Sequence, residues 1–570
     1  MESAEVALKL TGSHEEDPRR KWKSQLDSVL ENICNTKRKW LWLVFLVTAS
    51  PGILNGMHIT SYVFFVDNNP PYCHIPALEK ANWTVEQIRN ISSPITNSAQ
   101  DQGCWYYDWN YDELAEKSFE ESKEFLSMIK AKPDVLPCTD YRYENYNSVI
   151  SEWDLVCDRY YYRSNIQASY ALGKFFGASF FGIIADKIGR KSSFTLAALC
   201  YVASAFLSAA SSWFCVFLLI RFLLGFAGVG CYSTAYTLLS ETMVGSSKTW
   251  VCCLFNASYA VGMIILSFLA NHVQYWKTLQ ILMSIPTIIL PFYYWLLPES
   301  PQWLLSKGRP VEAWDVVRKI DSTVVPPADL PRLYCQVPIN TDESSTVPRK
   351  SLYQKLLQPL SEFVSMFSTP QLTLRTLVCF YIWFTVSAVY FGLVMNGNNF
   401  SIDRFSYILL NGILEIFSYA LPVPLLSVCG RKAASLYLFF FTGAGLISIL
   451  FLPKTLNVVI LVVALFSRFC VTSVYVIFAL YTSELFPTAI RNTAIGASIT
   501  MSHVGTLVSP YIVDILGPIK WYIPSTMFGL FAVFSMIAVL PLPETKNQPL
   551  FSTVEEMNEE AASRTRTRPK

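Results

Sequence analysis

Long apolar runs alternate with shorter polar stretches along most of this sequence. Each run has about 20 residues or slightly more, which is the length of helix needed to cross a bilayer core about 30 Å thick. The pattern predicts an all-α membrane protein with twelve spans, at positions 40–66, 165–186, 193–211, 215–240, 250–270, 278–297, 372–395, 403–428, 433–452, 457–482, 489–513 and 522–542.

Two long polar segments, residues 67–164 and 298–371, interrupt the spans. The first separates spans one and two, and the second divides the spans into two groups of six. Residues 26–39 predict a short amphipathic helix at the cytoplasmic surface, and the first 39 residues contain no pattern of a cleaved signal peptide. The predicted parts are an N-terminal segment (1–39), a first six-helix bundle (40–297), a central loop (298–371), a second six-helix bundle (372–542) and a tail (543–570).

Basic residues indicate the orientation, because loops rich in Lys and Arg stay in the cytoplasm. They cluster before the first span, after the second and eighth spans, and in the central loop. All these positions share one side of the membrane if both termini are cytoplasmic, which agrees with an even number of spans. The basic positions are Arg19, Arg20, Lys21, Lys37, Arg38, Lys39, Lys187, Arg190, Lys191, Lys307, Arg309, Arg318, Lys319, Arg431 and Lys432.

Segment 67–164 is then predicted to face the outside, where disulfides form. It carries two glycosylation sequons, at Asn82 and Asn90, which supports the orientation. An even set of cysteines in the same segment predicts two disulfides, although four cysteines allow three pairings. These cysteines are Cys73, Cys104, Cys138 and Cys157.

Composition narrows the functional classes. Of the 570 residues, 52% are apolar or aromatic and 15% are charged, against about a quarter charged in a soluble protein. A net charge of +2 does not favour a nucleic-acid partner. The sequence contains no P-loop, no dinucleotide-binding fingerprint, no paired metal-type histidines and no catalytic constellation, so we expect no cofactor, no bound metal and no enzyme activity. If a membrane protein without a nucleotide motif moves a solute, a gradient drives the movement or the movement is passive.

The loop after the second span reads Gly182-Ile-Ile-Ala-Asp186-Lys187-Ile-Gly189-Arg190-Lys191. This G-x-x-x-D-K-x-G-R-K pattern resembles the signature of the major facilitator superfamily. A tight glycine turn joins two helices, and Asp186, Arg190 and Lys191 are expected to form ion pairs that hold one conformation.

The second half repeats part of this pattern. After the eighth span, Gly430-Arg431-Lys432 recurs, but Ser427 stands at the position of the aspartate, so we expect the second set of ion pairs to be weaker. A second similarity between the halves is a glutamate that precedes a basic residue by seven positions, once in each half. These pairs are Glu241 with Lys248 and Glu484 with Arg491. Duplicated halves are typical of such transporters.

Finer motifs resemble the organic cation/anion/carnitine transporter family, also called solute carrier family 22. They are the run 298–305 (Pro-Glu-Ser-Pro-Gln-Trp-Leu-Leu), the run 484–492 (Glu-Leu-Phe-Pro-Thr-Ala-Ile-Arg-Asn), Leu-Pro-Glu-Thr-Lys at 542–546, Leu-Asp-Ser-Val-Leu-Glu at 26–31 and the large cysteine-bearing outer loop. The resemblance covers nearly the whole chain and is strongest to invertebrate members. It implies two pseudo-symmetric six-helix halves in the plasma membrane that rock about a central solute cavity.

Ionisable residues near the middle of a span are costly and are treated as functional hypotheses. Lys174, Glu415, Arg468 and His503 lie at this depth. Each has a purely structural alternative. Glu415 and Arg468 can pair with each other, His503 can bond a backbone carbonyl, and Lys174 can extend its ammonium toward the membrane surface or pair with an acid elsewhere. Aromatic residues at the same depth are the further candidates, namely Tyr232, Phe255, Tyr259, Trp383 and Tyr390.

The family resemblance implies individual roles for several of these residues. Glu415 matches an acidic position of the eighth helix that cation carriers use, and Arg468 matches a basic position of the tenth helix that is widespread in the family. The family carries binding aromatics at both Trp383 and Tyr390. Three candidates, of which Asn256 is new, differ from the family residues. Tyr232 stands where cation carriers often have Trp, and Phe255 and Asn256 stand where they have Tyr and Gln.

The eleventh helix departs from the family pattern. Cation carriers have Asp there and anion or carnitine carriers have Arg, whereas this chain has His503. Aromatic faces and one carboxylate suit an ammonium group, and Arg468 suits a carboxylate. We therefore expect zwitterions and small amines, such as carnitine-like or β-amino-acid-like solutes, with uptake that depends on pH through His503. An organic-anion exchanger, favoured by Arg468 and Lys174, and a non-transporting receptor on the same scaffold remain the alternatives, and a co-transported or exchanged ion is left open.

Overall fold

A computed structural model describes residues 18–66, 70–94, 103–128, 133–244, 246–325, 361, 363–400, 403–488, 490–546, 548 and 556. The predictions for the first 17 residues, for about half of the central loop and for most of the tail lie outside these residues.

The spans predicted from the apolar pattern are helices. Eleven helices of the described chain are long and apolar enough to cross a membrane, and the twelfth, Ile523–Val539, is apolar but has 17 residues. Most boundaries agree with the prediction within a few residues; the second span begins eight residues early. The eleven are Arg38–Phe65, Cys157–Ile188, Arg190–Ala210, Phe214–Thr242, Trp250–His272, Trp276–Leu296, Pro370–Met395, Arg404–Val428, Arg431–Phe451, Asn457–Leu485 and Arg491–Leu516.

Several spans are built from consecutive helical pieces. The first consists of helices Arg38–Thr60 and Tyr62–Phe65, and the fifth begins within helix Ser246–His272. The remaining composite spans contain a proline or a 3-10 turn, because proline lacks the N–H that continues an α-helix. Their pieces are Cys157–Arg159 and Tyr162–Ile188, then Trp276–Ser284, Ile285–Phe292 and Tyr293–Leu296, then Arg404–Ser418 and Pro422–Val428, and Arg431–Ser448 and Ile449–Phe451. A 3-10 turn, Asn396–Phe400, follows the seventh span.

The two halves meet along two pairs of spans. The second span packs against the eleventh, and the fifth packs against the eighth. We call the side of the bundle that carries the signature loop at 182–191 the inner side, and the side that carries segment 70–156 the outer side.

A helical layer covers the inner side. Helix Pro18–Thr36 packs Leu26 and Leu30 against Trp314 of helix Pro310–Ile320, and all three side chains are buried. The expected amphipathic helix therefore begins earlier than predicted and uses its apolar face for protein contacts. A short helix, Pro301–Ser306, lies between this layer and the fourth span.

The outer segment forms a small domain. Strand β1 (Tyr72–Cys73) pairs with β4 (Tyr141–Arg142), and β2 (Trp105–Tyr107) pairs with β3 (Val135–Pro137), both antiparallel. Disulfides join Cys73 to Cys138 and Cys104 to Cys157, so the structure selects one of the three pairings that the sequence left open. Four short helices surround a buried apolar cluster; they are Pro76–Lys80, Val85–Ser92, Tyr111–Ala115 and Phe119–Met128. A fifth, Val149–Trp153, packs into the core of the helix bundle, where Trp153 contacts Phe217 and Trp276. Asn82 and Asn90 are both exposed on this domain.

Candidate transport site

A cavity of about 530 Å³ lies between the two halves. Its walls extend inward to Tyr236 and Thr237 near the inner end of the fourth span, and to Gly496 near the inner end of the eleventh. The cavity therefore extends toward the inner side.

Seven of the ten predicted solute-binding residues line this cavity. They come from both halves, which is the arrangement that a solute site between two rocking halves requires. These residues are Lys174, Tyr232, Asn256, Tyr259, Tyr390, Glu415 and His503.

The other three predicted residues do not line the cavity. Trp383 is buried against Tyr475 and Phe478, and its indole donates a hydrogen bond of 3.0 Å to Thr482 Oγ1. Phe255 is fully buried and packs behind Tyr232 and Tyr236. Both aromatics pack behind tyrosines that line the cavity, namely Tyr475 for Trp383, and Tyr232 and Tyr236 for Phe255.

Arg468 is the third of these residues, and it lies behind Glu415. Its guanidinium forms a 2.8 Å ion pair with Glu415 Oε2 and donates a 2.9 Å hydrogen bond to the carbonyl of Tyr390. The guanidinium carbon also lies 4.2 Å from the centre of the Tyr390 ring, a cation–π distance. Side-chain exposure is 3% for Arg468 and zero for Glu415, so the pair is removed from solvent.

The remaining oxygen of Glu415 is also occupied. Tyr390 and Tyr419 donate hydrogen bonds to Oε1 at 2.7 Å and 2.9 Å. A buried ion pair is tolerated when further hydrogen bonds satisfy its free oxygens. Glu415 is therefore held by three donors, and its charge is neutralised by Arg468 before any solute binds.

Lys174 has a different environment. It projects from the second span into the same cavity, with its ammonium 5.6 Å from the Phe391 ring. Within the part of the chain that the structure describes, no carboxylate lies within ion-pair distance of this ammonium. Lys174 therefore leaves the cavity with an uncompensated positive charge, and His503 of the eleventh span lines the same space.

Tyrosines dominate the rest of the wall. Besides Tyr232, Tyr259 and Tyr390, the structure adds Tyr236, Tyr419 and Tyr475, which the sequence analysis missed. One of them, Tyr419, could have been predicted from the sequence. It lies four residues after Glu415, which places both side chains on the same helix face. The Tyr259 hydroxyl is buried without a hydrogen-bond partner among the described residues. These rings give the cavity several π faces that suit an ammonium group.

Of the ion pairs predicted on the inner side of the first half, those of Arg190 are present, whereas Lys191 forms none among the described residues and places its ammonium 4.3 Å from the Tyr294 ring. Arg190 pairs with Asp186 at 2.7 Å and with Glu241 at 2.8 Å. The backbone N–H groups of Arg190 and Lys191 donate to Glu299 at 2.9 Å and 3.2 Å. Glu299 belongs to the Pro-Glu-Ser run after the sixth span, and the sequence analysis gave it no role.

The second half repeats this arrangement with one carboxylate fewer. Arg431 pairs with Glu484 at 3.1 Å, and its N–H donates to Glu544 at 2.8 Å. Glu544 stands in the Pro-Glu-Thr run after the twelfth span, so the two Pro-Glu runs were the signal for both missed glutamates. Arg491 instead donates to Thr488 Oγ1 at 3.2 Å and does not share the ion pair of Glu484.

The recurring glycine has a steric reason in each half. Gly189 has a positive φ of 104°, and a Cβ there would lie 2.3 Å from Glu299 Oε2. A Cβ on Gly430 would lie 2.0 Å from Glu544 Oε2. Glycine is required because the carboxylate must approach the backbone N–H groups closely.

The sequence of residues 117–559 matches the family model described as sugar (and other) transporter. The chain belongs to that family. It is 28% identical to the organic cation transporter protein of Drosophila melanogaster over 522 residues, which cover 90% of this chain and 91% of that protein. It is 29% identical to organic anion transporter 3 of Oryctolagus cuniculus, over 74% of this chain and 76% of that protein. The resemblance to solute carrier family 22 is confirmed by such relatives.

The fold also matches a solved structure. The partially occluded inward-open conformation of the xylose transporter XylE from E. coli gives a TM-score of 0.57 at 14% identity, over 90% of this chain and all of that one. At this identity the likeness shows the fold alone. The chain is therefore a multi-pass membrane transporter with the major facilitator fold.

Proposed function

We propose that this transporter carries small organic solutes that combine an ammonium group with a carboxylate, such as carnitine-like compounds or β-amino acids, across the plasma membrane by alternating access. Relatives named as organic cation and organic anion transporters support an organic solute of this size. The signature loop and the inner-side basic residues support cytoplasmic termini.

The distribution of charge in the cavity carries the proposal. Glu415 is neutralised by Arg468, whereas Lys174 is uncompensated among the described residues. A solute carboxylate would supply the missing negative charge. A charge-assisted hydrogen bond of this kind contributes about 1.5–3 kcal/mol, which is roughly 10-fold to 150-fold in affinity.

The tyrosine wall supports the ammonium end of the solute. Tyr232, Tyr236, Tyr259, Tyr419 and Tyr475 present rings to the cavity, and each cation–π contact contributes about 0.5–2 kcal/mol. A simple cation would gain these contacts but would leave Lys174 unpaired and repelling it. We therefore favour zwitterions over simple cations, which refines the expectation from the sequence.

An organic-anion exchanger is the second candidate, and Lys174 with His503 favours it. Uptake of radiolabelled carnitine in cells that express the full chain distinguishes the candidates. For a zwitterion carrier, unlabelled carnitine should compete strongly, and tetraethylammonium and a dicarboxylate should compete weakly. Dominant competition by the dicarboxylate would favour the anion exchanger, and dominant competition by tetraethylammonium would refute the role of Lys174.

A matched set of lysine variants tests the carboxylate contact directly. Lys174→Met should raise the KM for the zwitterion at least about 10-fold, and Lys174→Arg should retain most of the affinity because the charge remains. Lys454→Met is the control, because Lys454 is exposed in the loop before the tenth span. An unchanged KM in Lys174→Met at normal surface expression would overturn the proposal.

A further inference from the structure

The two halves are joined at the outer side by hydrogen bonds that converge on one carboxylate, Asp514. The hydroxyl of Tyr62, at the outer end of the first span, donates to Asp514 Oδ2. The hydroxyl of Ser164, in the second span, donates to the same oxygen at 3.0 Å. Both donors belong to the first half and Asp514 belongs to the second, so these bonds cross the interface that must open for access from the outer side.

The groups in direct contact with the carboxylate are neutral hydroxyls, and the guanidinium of Arg163 acts on it from beyond ion-pair distance. In the described chain, no lysine or arginine lies within ion-pair distance of Asp514, and both of its hydrogen-bond partners are hydroxyls. Tyr62 and Ser164 are fully or almost fully buried, while Asp514 keeps partial exposure. An ionisable residue inside a membrane protein without a direct ion-pair partner is costly and marks a functional position.

Two other titratable groups, Arg163 and Tyr160, lie close enough to interact electrostatically with Asp514, although their direct contacts are with other groups. Arg163 donates from Nε to the carbonyl of Leu155 at 2.6 Å, and its guanidinium lies 4.2 Å from the Tyr160 ring. On the same helix as Asp514, Tyr511 donates to Asn165 Oδ1 at 2.8 Å, which is a second bond across the interface. The seventh span packs against the eleventh, and its outer end carries Met395 followed by Asn396, which do not titrate.

Opening the outer side separates Tyr62 and Ser164 from Asp514. Hydrogen bonds from hydroxyls to an ionised carboxylate are roughly twice as strong as those between neutral groups. A proton on Asp514 removes the charge and converts one acceptor position to a donor, so both interactions weaken. The closed outer side therefore depends on the ionised form of Asp514.

We propose that Asp514 is a proton-binding site of the outer gate, and that a proton taken up from the outer side favours opening of this gate. The carboxylate binds the proton at an oxygen, and the two hydroxyl donors of the first half are released. This goes beyond the proposed function and rests only on its alternating-access part. The charge of the transported solute has no bearing on it.

A thiol reporter measures opening without measuring uptake. Thr506→Cys places a thiol in the wall of the cavity, and a charged, membrane-impermeant methanethiosulfonate reagent added outside intact cells reaches it only when the outer gate opens. Thiols react faster as pH rises, because the thiolate is the nucleophile. Each rate is therefore divided by the rate of the same reporter in the Asp514→Asn background at the same pH, and the chain without the reporter gives the background.

Asp514→Asn imitates the uncharged form, so its gate should open readily at every pH. Near an external pH of about 8, the reporter with Asp514 intact should react on the order of 10-fold more slowly than with Asp514→Asn, and the ratio should approach one near about pH 5.5. A ratio that is the same at both pH values would overturn the proposal.

Two further variants separate this role from a structural one. Tyr62→Phe combined with Ser164→Ala keeps the carboxylate but removes both donors, so the reporter should react fast at both pH values even if Asp514→Asn fails to reach the surface. Tyr511→Phe removes the neutral bond to Asn165 and should leave the pH dependence intact. A reporter that reacts in no background would refute alternating access itself.

Discussion

Glu415 and Arg468 form the buried ion pair beside the cavity, and separating them is the sharpest test of the site. In Glu415→Gln, the buried guanidinium of Arg468 loses its 2.8 Å partner. Because both side chains are removed from solvent, the remaining charge cannot be hydrated, and breaking such a pair costs about 3–5 kcal/mol of stability. Arg468→Gln should cost a similar amount, since it leaves the carboxylate with only the hydroxyls of Tyr390 and Tyr419.

The double variant should be more stable than either single variant. Glu415→Gln with Arg468→Gln leaves no unpaired charge, and its cost is that of imperfect neutral hydrogen bonds, about 1–2 kcal/mol. With single costs of at least about 3 kcal/mol each and a double cost of at most about 2 kcal/mol, the coupling between the two sites should be at least about 4 kcal/mol in magnitude. Tyr419→Phe is the matched control, because it removes one hydrogen bond to Glu415 and no charge, and should lower stability by about 1–2 kcal/mol.

Thermal unfolding of the detergent-solubilised chain ranks these variants. Size-exclusion chromatography after heating to each temperature measures the folded fraction. The expected order of Tm is the unsubstituted chain, then Tyr419→Phe and the double variant, then the two single variants. Uptake should be lost in Glu415→Gln at normal surface expression. A double variant that loses as much stability as the two single variants together would refute the pairing, and normal uptake in Glu415→Gln would remove Glu415 from the transport mechanism.

Three further predictions concern the outer domain and the inner loop. Replacing Cys104 and Cys157 with serine opens a loop with a sequence separation of 53 residues and should cost about 4 kcal/mol, seen as a lower Tm under non-reducing conditions; an unchanged Tm would contradict a structural role. Asn82→Gln and Asn90→Gln should each remove one glycosidase-sensitive step on a gel, whereas full-size bands would contradict glycosylation. Gly189→Ala should weaken uptake and lower the Tm, since its Cβ would lie 2.3 Å from a carboxylate oxygen and the backbone has a positive φ, and wild-type values would show that Glu299 moves freely.

Sequence patterns determined most of the fold. The bilayer imposes a fixed apolar length and a requirement that backbone groups bond within each segment, so the spans could be read from hydropathy alone. The inner ion pairs of Arg190 were also predictable, because they lie in a short motif next to the glycine turn. Four cysteines predicted two disulfides, but spacing holds no information on which pairs come together in space.

The structure changed the interpretation of the binding residues. From the sequence, Glu415, Arg468, Trp383 and Phe255 were all candidates because they lie at a similar depth, and a pairing of Glu415 with Arg468 was left open. Depth along a helix is fixed by residue number, but the direction of a side chain depends on how each helix is rotated against its neighbours. The packing of the helices places Trp383 and Phe255 behind the residues that line the cavity. It also brings Arg468 into an ion pair with Glu415.

What the sequence by itself determined is the number of spans, their internal duplication and the presence of both charge signs near the membrane centre. What only the tertiary structure decided is which charges cancel. Residues 53 positions apart on separate helices neutralise each other, and Lys174 is left to face the cavity. Electrostatic pairing acts over a few ångströms in space, so the charge offered to a solute emerges only after the helices have packed.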